Sequence, residues 1–264
     1  MADPFPHNQP FPPFIELLSV DSTNNYARGL VHAGMAQHGT AVFTHEQTAG
    51  RGQKGRIWEA GQNMDILLTL ILKPLPGQVW QAFKMSAGIA LATADFFSKY
   101  AGDETKIKWP NDIYWQDRKA GGILIENIVS QPLPVNGGNF PVNENRDWTL
   151  AGIGININQV KFPENLSNPV SLKQITGKNF DPLELARELA ALATARFDTL
   201  DAANDLHERY NQLLYKKGQQ VKLKKGNRVF EARIDGVSAD GQLQVFTSIP
   251  ESLDSGEVEW QLQP

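Results

Sequence analysis

The 264-residue chain contains no cysteine. That excludes disulfides, thiolate metal sites and thiol nucleophiles, and it fits a reducing compartment. An excess of positive charge is also missing: 25 Lys+Arg stand against 29 Asp+Glu, a formal net charge of −4. A mildly acidic protein is not a general nucleic-acid binder, although one local basic patch can still act. There is no long hydrophobic run. The most apolar stretch, Ile66 to Leu72, is far too short to span a bilayer. Met1 to Pro13 is rich in Pro and Phe and has neither the basic start nor the apolar run of a signal peptide. These absences predict a cytoplasmic protein with no membrane partner.

The remaining composition is that of a globular chain, with 41% hydrophobic and 20% charged residues, which excludes a coiled coil, a collagen-like repeat or a wholly disordered protein. Its length allows one large domain, or one large plus one small. Phe14 to Val20 reads as a strand. Asp21 or Ser22 then caps a helix running toward Gly34. Thr40 to Thr44 and Ile66 to Lys73 read as strands, and Trp80 to Tyr100 as a helix. Lys106 to Trp109, Asp112 to Trp115, Gly122 to Val129 and Trp148 to Ile157 read as further strands, with a polar loop or long hairpin tip over Gln131 to Arg146. Asp181-Pro182 marks a helix start, followed by Leu185, Leu189 and Leu192 on one face, and a second helix covers about Ala202 to Tyr215. Beyond Lys216–Gly218 the pattern changes to short strands broken by Gly226-Asn227, Asp240-Gly241 and Ser255-Gly256. The expected organisation is a tail (1–13), an α/β (α+β) domain with a mixed sheet (14–216) and a small all-β module (217–264).

Five segments carry chemistry. Gln47-Thr48-Ala49-Gly50-Arg51-Gly52-Gln53-Lys54-Gly55-Arg56 combines exposed backbone N–H groups with three cations, which suits a phosphate or an acyl phosphate. Its spacing is not that of a P-loop. Lys108-Trp109-Pro110-Asn111-Asp112 places a cation and a carboxylate at one strand junction, where Asp112 could hold Mg²⁺ and Asn111 a nucleotide phosphate. Lys119, followed by Ala120-Gly121-Gly122, can reach into a cleft over a closely approached backbone. In Gly152-Ile153-Gly154-Ile155-Asn156-Ile157-Asn158 the isoleucines share one strand face and the small and polar residues the other, which suits a ligand groove. Asp21-Ser22-Thr23-Asn24-Asn25 puts hydroxyls and amides at a helix start. Each segment taken singly also reads as ordinary local structure: a basic turn, a Pro-Asn-Asp β-turn, a charged hairpin tip over Gln116 to Lys119, or a helix cap.

Taken together and in this order, the segments resemble the biotin–protein ligases, the biotin–acetyl-CoA-carboxylase ligase family. The likeness extends from about Leu17 to Leu262, and its most specific parts are Lys108-Trp109-Pro110-Asn111-Asp112 and the Gly50-Arg51-Gly52 loop. The resemblance implies a biotin/lipoate-ligase-like catalytic domain followed by an SH3-like β-barrel. It implies an enzyme that makes biotinyl-5′-AMP from biotin and ATP with Mg²⁺, then transfers biotin to a lysine of a biotin carboxyl carrier protein.

By the same resemblance Lys119 and Arg51 are catalytic. Ser22, Thr23, Asn24, Gln47, Gly50, Gly52, Gln53 and Gly122 serve biotin, together with Arg51 and Lys119. Arg56, Trp58, Asn111 and Asn156 serve the adenylate, again with Arg51 and Lys119, and Asp112 is the Mg²⁺ candidate. Many members carry Arg where this chain has Gln53, and Lys54 is the neighbour placed to compensate. Met1 to Pro13 is too short for the helix-turn-helix domain of some members, so no DNA is expected. A homodimer through an open sheet edge is compatible with the resemblance. Two other readings compete: a lipoate–protein ligase-like enzyme, disfavoured by the Gly-Arg-Gly and Trp-Pro-Asn-Asp combination, and a biotin-binding module without turnover.

Overall fold

The structure, a computed structural model, describes residues 12–74, 82–128, 148–164, 166, 168–200 and 205–261. The predicted loop Gln131 to Arg146 and the predicted helix starts at Trp80 and Ala202 lie outside those residues.

A parallel β–α–β unit opens the fold. β1 (Phe14–Leu17) pairs with β2 (Thr40–Thr44), and α1 (Thr23–His32) makes the crossover. The first strand is shorter than its apolar pattern predicts. Leu18 turns out to solvent, and Val20 leaves β1 to bridge Gln47. That bridge brings the head of α1 beside the Gln47 segment.

The remaining pairs of the large sheet are antiparallel: β3 (Ile66–Leu72), β4 (Thr105–Lys108), β5 (Asp112–Trp115), β6 (Arg118–Ile128) and β7 (Trp148–Ile155), in the spatial order β1-β2-β3-β7-β6-β5-β4. β3 is buried along its whole length, as its unbroken apolar run predicts.

One face of this sheet is covered by α2 (Ala82–Ala101) and α4 (Pro182–Asp198), which pack against Leu68, Leu70, Ile153 and Ile155. On the other face, among the described helices, α1 packs through Ala27 against Val42, Ile71 and Leu150. Part of that second face is left for a cleft.

Asp181 caps α4 as predicted, accepting from the backbone of Leu183 and Glu184. Its core face differs from the predicted one. Leu185 and Leu189 are buried, but the stripe continues through Ala193 and Phe197, and Leu192 is exposed. Over four turns a 3.6-residue period favours the +4 and +8 positions after Leu189. A short helix, α3 (Leu172–Thr176), was not anticipated, although Ser171 and Gln174 form a capping box and Gly177 stops it at φ 74°.

After α5 (Leu206–Gln212) come β8 (Gln220–Lys225), β9 (Arg228–Val237), β10 (Leu243–Phe246), β11 (Pro250–Leu253) and β12 (Glu259–Trp260). They form a five-stranded antiparallel sheet in the order β11-β10-β9-β8-β12. Gly226, Gly241 and Gly256 take positive φ at the three predicted turns. Leu223, Ile234, Leu243 and Val258 join the same apolar core as α2 and α4. Ile107 pairs with the 213–215 segment, and the Trp109 indole donates to the Gly241 carbonyl at 2.9 Å. The change of sheet near Lys216 is thus not a break in the core.

Asp65, just before β3, is buried. One carboxylate oxygen accepts from Ile157 N–H at 2.8 Å, and the other has no partner among the described residues. Burial pushes its pKa up from 3.8 to about 7, against the lowering effect of the Ile157 and Gly61 N–H groups. A folded-state pKa above the unfolded value means that the native chain binds more protons in between. This contribution is therefore most favourable below about pH 4 and is lost as pH rises to about 7, by at most about 1.4 kcal/mol per pH unit. Asp65→Asn should remove that slope. Denaturant midpoints of wild type and variant should diverge in the variant's favour between pH 4.5 and 7.5, and a constant difference would exclude the effect.

Candidate active site

A cleft of about 910 Å³ opens on the α1 face of the large sheet. Its floor is glycine. A Cβ at Gly152 would run into the Asn24 carboxamide, and one at Gly154 would lie 2.5 Å from the Trp58 indole. A Cβ at Gly122 would be 3.3 Å from both Asp112 and Trp58. The predicted division of β7 into an isoleucine face and a small-residue face holds, since Ile153, Ile155 and Ile157 lie in the core.

At one end of the cleft the start of α1 meets Gln47. Thr23 donates from its backbone N–H to Gln47 Oε1 at 2.9 Å, and the Thr23 hydroxyl lies 3.2 Å from the same oxygen. The Thr69 hydroxyl, on β3, sits 2.6 Å from Asn24 Oδ1 and 2.8 Å from Thr23 Oγ1. Ser22 occupies the N-cap position but makes no side-chain cap bond, and it lines the cleft. The segment is thus a polar network facing the cleft as well as a helix start. Glu126 accepts from Asn24 at 2.8 Å and pairs with Arg51 at 3.0 Å and Arg28 at 2.9 Å. Burial pushes the Glu126 carboxyl up, but the Asn24 hydrogen bond and the two guanidinium charges outweigh it and hold the group below the usual range.

At the centre Lys119 Nζ lies 2.7 Å from Asp112 Oδ1 and 5.8 Å from the Trp58 ring centroid. A bulge aims it there. Ile113 pairs with Gly121 and Tyr114 with Lys119, so Ala120 is the extra residue on β6. The insertion brings Lys119 to the same face as Gly122, which strict alternation would forbid. The predicted charged hairpin tip narrows to Gln116 and Asp117, outside this strand.

Lys108 lies 3.9 Å from the other Asp112 oxygen and over the rings of Tyr114 and Trp260. Burial pulls its pKa down to about 8. Asp112 opposes that shift, and the Lys119 and Arg56 charges add to it.

Asn111 is buried, and its amide nitrogen holds the Ile123 carbonyl, so it braces the floor. Asn156 lines the cleft with its amide nitrogen on the Val170 carbonyl at 3.1 Å.

The Gly50–Arg56 segment arches over the cleft. Trp58 N–H donates to Gly50 O at 3.0 Å and Gly52 N–H to Arg56 O at 2.7 Å. A Cβ at Gly50 would collide with the Trp58 carbonyl. Gln53 faces the cleft, as do Arg51, Gly52 and Arg56. Lys54 also lines the cleft, and its Nζ donates to the Gly256 carbonyl of the small sheet at 2.7 Å.

Asp112 is the residue the sequence offers for Mg²⁺. Asp112 is the ion-pair partner of Lys119, and no group of three or more His, Cys, Asp or Glu that could hold a metal exists among the described residues. Mg²⁺ is commonly bound through one or two carboxylates together with substrate phosphates, so a lone carboxylate would need the nucleotide to complete such a site.

All the other predicted site residues line this one cleft except Gly50, which sits behind Trp58. Lys108, read from the sequence as the cation of its segment, also lines the cleft, while sequence reasoning missed Trp260 in the cleft and Thr69 and Glu126 beside it. A glutamate in the apolar run of β6 was the available signal for Glu126, because a carboxylate in such a strand demands partners. Trp260 carried none; it arrives from the far end of the chain.

Sheet order, glycine floor and cationic arch define an α/β fold with one polar, cation-lined cleft. Over 95% of this chain and 99% of the other, the fold matches that of the biotin protein ligase from Aquifex aeolicus in complex with biotin and ATP (TM-score 0.76, 24% identity). Residues 17–134 match the sequence model of the Biotin/lipoate A/B protein ligase family. A biotin–[acetyl-CoA-carboxylase] ligase from Paracoccus denitrificans is 32% identical over 189 residues, covering 69% of this chain and 71% of that protein. The bifunctional ligase/repressor BirA of Bacillus spizizenii is 34% identical over 167 residues, 61% of this chain. The chain spans about half the length of that relative (46%). The chain belongs to the biotin–protein ligases of the biotin/lipoate ligase family.

Proposed function

We propose that this protein is an ATP-dependent biotin–protein ligase. A biotin carboxylate oxygen attacks the α-phosphorus of ATP, the bond to the β-phosphate breaks, and pyrophosphate leaves. The amine of a carrier lysine then attacks the acyl carbon of biotinyl-5′-AMP, and AMP leaves. One observation carries the reading: Lys119 Nζ, held by Asp112 and facing the Trp58 ring, lines the same cleft as the polar network at Gln47. Two anions must meet in the first step, and a cation fixed at their junction stabilises the charge that develops there.

Arg51 serves the carboxylate from the arch. Ser22, Thr23 and Gln47 supply fixed donors and acceptors for a ureido ring, and Trp58 with Arg56 covers the nucleotide. No protein nucleophile is needed, in keeping with the missing cysteine, and positioning with electrostatics carries the chemistry. The reading includes a biotin carboxyl carrier protein as acceptor, a cytosolic location, no role for DNA, and a homodimer formed through an open edge of the large sheet. No described helix is long and apolar enough to cross a membrane.

The test is mass spectrometry of a carboxylase carrier domain incubated with the protein, biotin and MgATP. One added biotinyl group on one lysine is expected. Pyrophosphate release with lipoate and not with biotin would favour lipoate attachment, and biotin binding without release would favour a non-catalytic module. The arch gives a second prediction. Amide exchange over Gly50–Arg56 should slow when biotin and MgATP are added, because an anion neutralises its cations. It should quicken in Lys54→Ala, which loses the Gly256 contact. Equal exchange in all three samples would dismiss a closing arch.

A further inference from the structure

Glu126 takes no part in the chemistry above, yet it is the most heavily partnered carboxylate near the cleft. It follows Gly122 and Leu124 at two-residue spacing on β6 and so shares their face, the cleft face of the sheet. From α1, Asn24 Nδ2 donates to Oε2 at 2.8 Å and Arg28 reaches Oε1 at 2.9 Å. These residues are one helical turn apart, so the helix grips the carboxylate at two points. Asn24 cannot turn away easily: its Oδ1 is held by Thr69 at 2.6 Å, and Gly152 backs it.

Against this fixed carboxylate Arg51 lays its fork, NH2 to Oε1 at 3.0 Å and NH1 to Oε2 at 3.3 Å. NH1 also donates to Asn25 Oδ1 at 3.0 Å. Three of the five guanidinium N–H groups are thus committed, and the Nε–H and one NH2 hydrogen remain for a ligand. The plane of the guanidinium is set before any anion arrives. An arginine on a glycine-rich arch would otherwise lose rotamer freedom on binding.

We propose that Glu126 is a positioning residue that holds the Arg51 guanidinium in place to receive the carboxylate of the acyl substrate. The proposal rests on the ligase reading above. Glu126→Gln puts an amide among groups that themselves donate, so the fork cannot form. The KM for biotin should rise about ten-fold or more, with the KM for ATP within about three-fold of wild type. In an Arg51→Ala background the same change should add less than about two-fold, because its target is gone. Independently of turnover, ¹⁵N relaxation of the Arg51 Nε–H should report a rigid side chain in wild type and a mobile one in Glu126→Gln. Glu126→Asp keeps the charge but shortens the reach, and it serves the same comparisons if the Gln variant fails to fold. An active wild type with an unchanged biotin KM in the variant would overturn the role. So would a loss that multiplies in full with Arg51→Ala, or equal Arg51 mobility in both proteins. A wild type without biotin-dependent pyrophosphate release would refute the ligase reading instead, and the relaxation data would still decide whether Glu126 orients Arg51.

Discussion

Lys119→Ala is expected to slow adenylate formation roughly a hundred-fold or more while changing biotin affinity little. A cation aimed at developing charge acts chiefly in the transition state, and removing one such group costs on the order of 3–4 kcal/mol. The structure adds why the loss should be chemical and not structural. Asp112 is left with Lys108 at 3.9 Å, so its carboxylate keeps a counter-charge. The Lys119 backbone stays bonded to Asn168 and Val170. Thermal midpoints of the two proteins should therefore lie close together. Pyrophosphate release from biotin and MgATP is the measurement, with biotin binding by calorimetry beside it. Release within a few-fold of wild type would show that Lys119 does not hold this place.

Gly152→Ala should be nearly as damaging, by a different route. The added methyl would occupy the space of the Asn24 carboxamide. That carboxamide cannot simply rotate, because Glu126 holds its nitrogen and Thr69 its oxygen. Overpacking of this kind costs about 1–3 kcal/mol, and here it falls on the Thr23–Gln47 network. Biotin affinity is expected to drop ten-fold or more, with a lower denaturation midpoint. Crystals of the variant would show Asn24 displaced. Unchanged biotin affinity would mean that this end of the cleft does not hold the acyl substrate.

The amino-acid sequence determined a good deal alone. The unbroken apolar run of β3, the Asp181-Pro182 start of α4 and the three Gly-containing turns of the small sheet are local signals, set by side-chain period, caps and backbone freedom. The cleft residues were legible for a related reason. Gly-Arg-Gly, Trp-Pro-Asn-Asp and the Gly-Ile alternation are costly or unusual as plain packing, so they stand out as strings.

What the strings could not contain is who meets whom. The pairing of Lys119 with Asp112 depends on a bulge at Ala120, visible only when β5 and β6 are in register. The tether from Lys54 to Gly256 and the stacking of Lys108 on Trp260 join residues about 150 to 200 positions apart. Glu126 is one residue in a strand until α1 and the arch fold against it. Periodicity fixes which way a side chain points along its own element. Charge partners are fixed by the packing of one element on another, which only the tertiary structure decides.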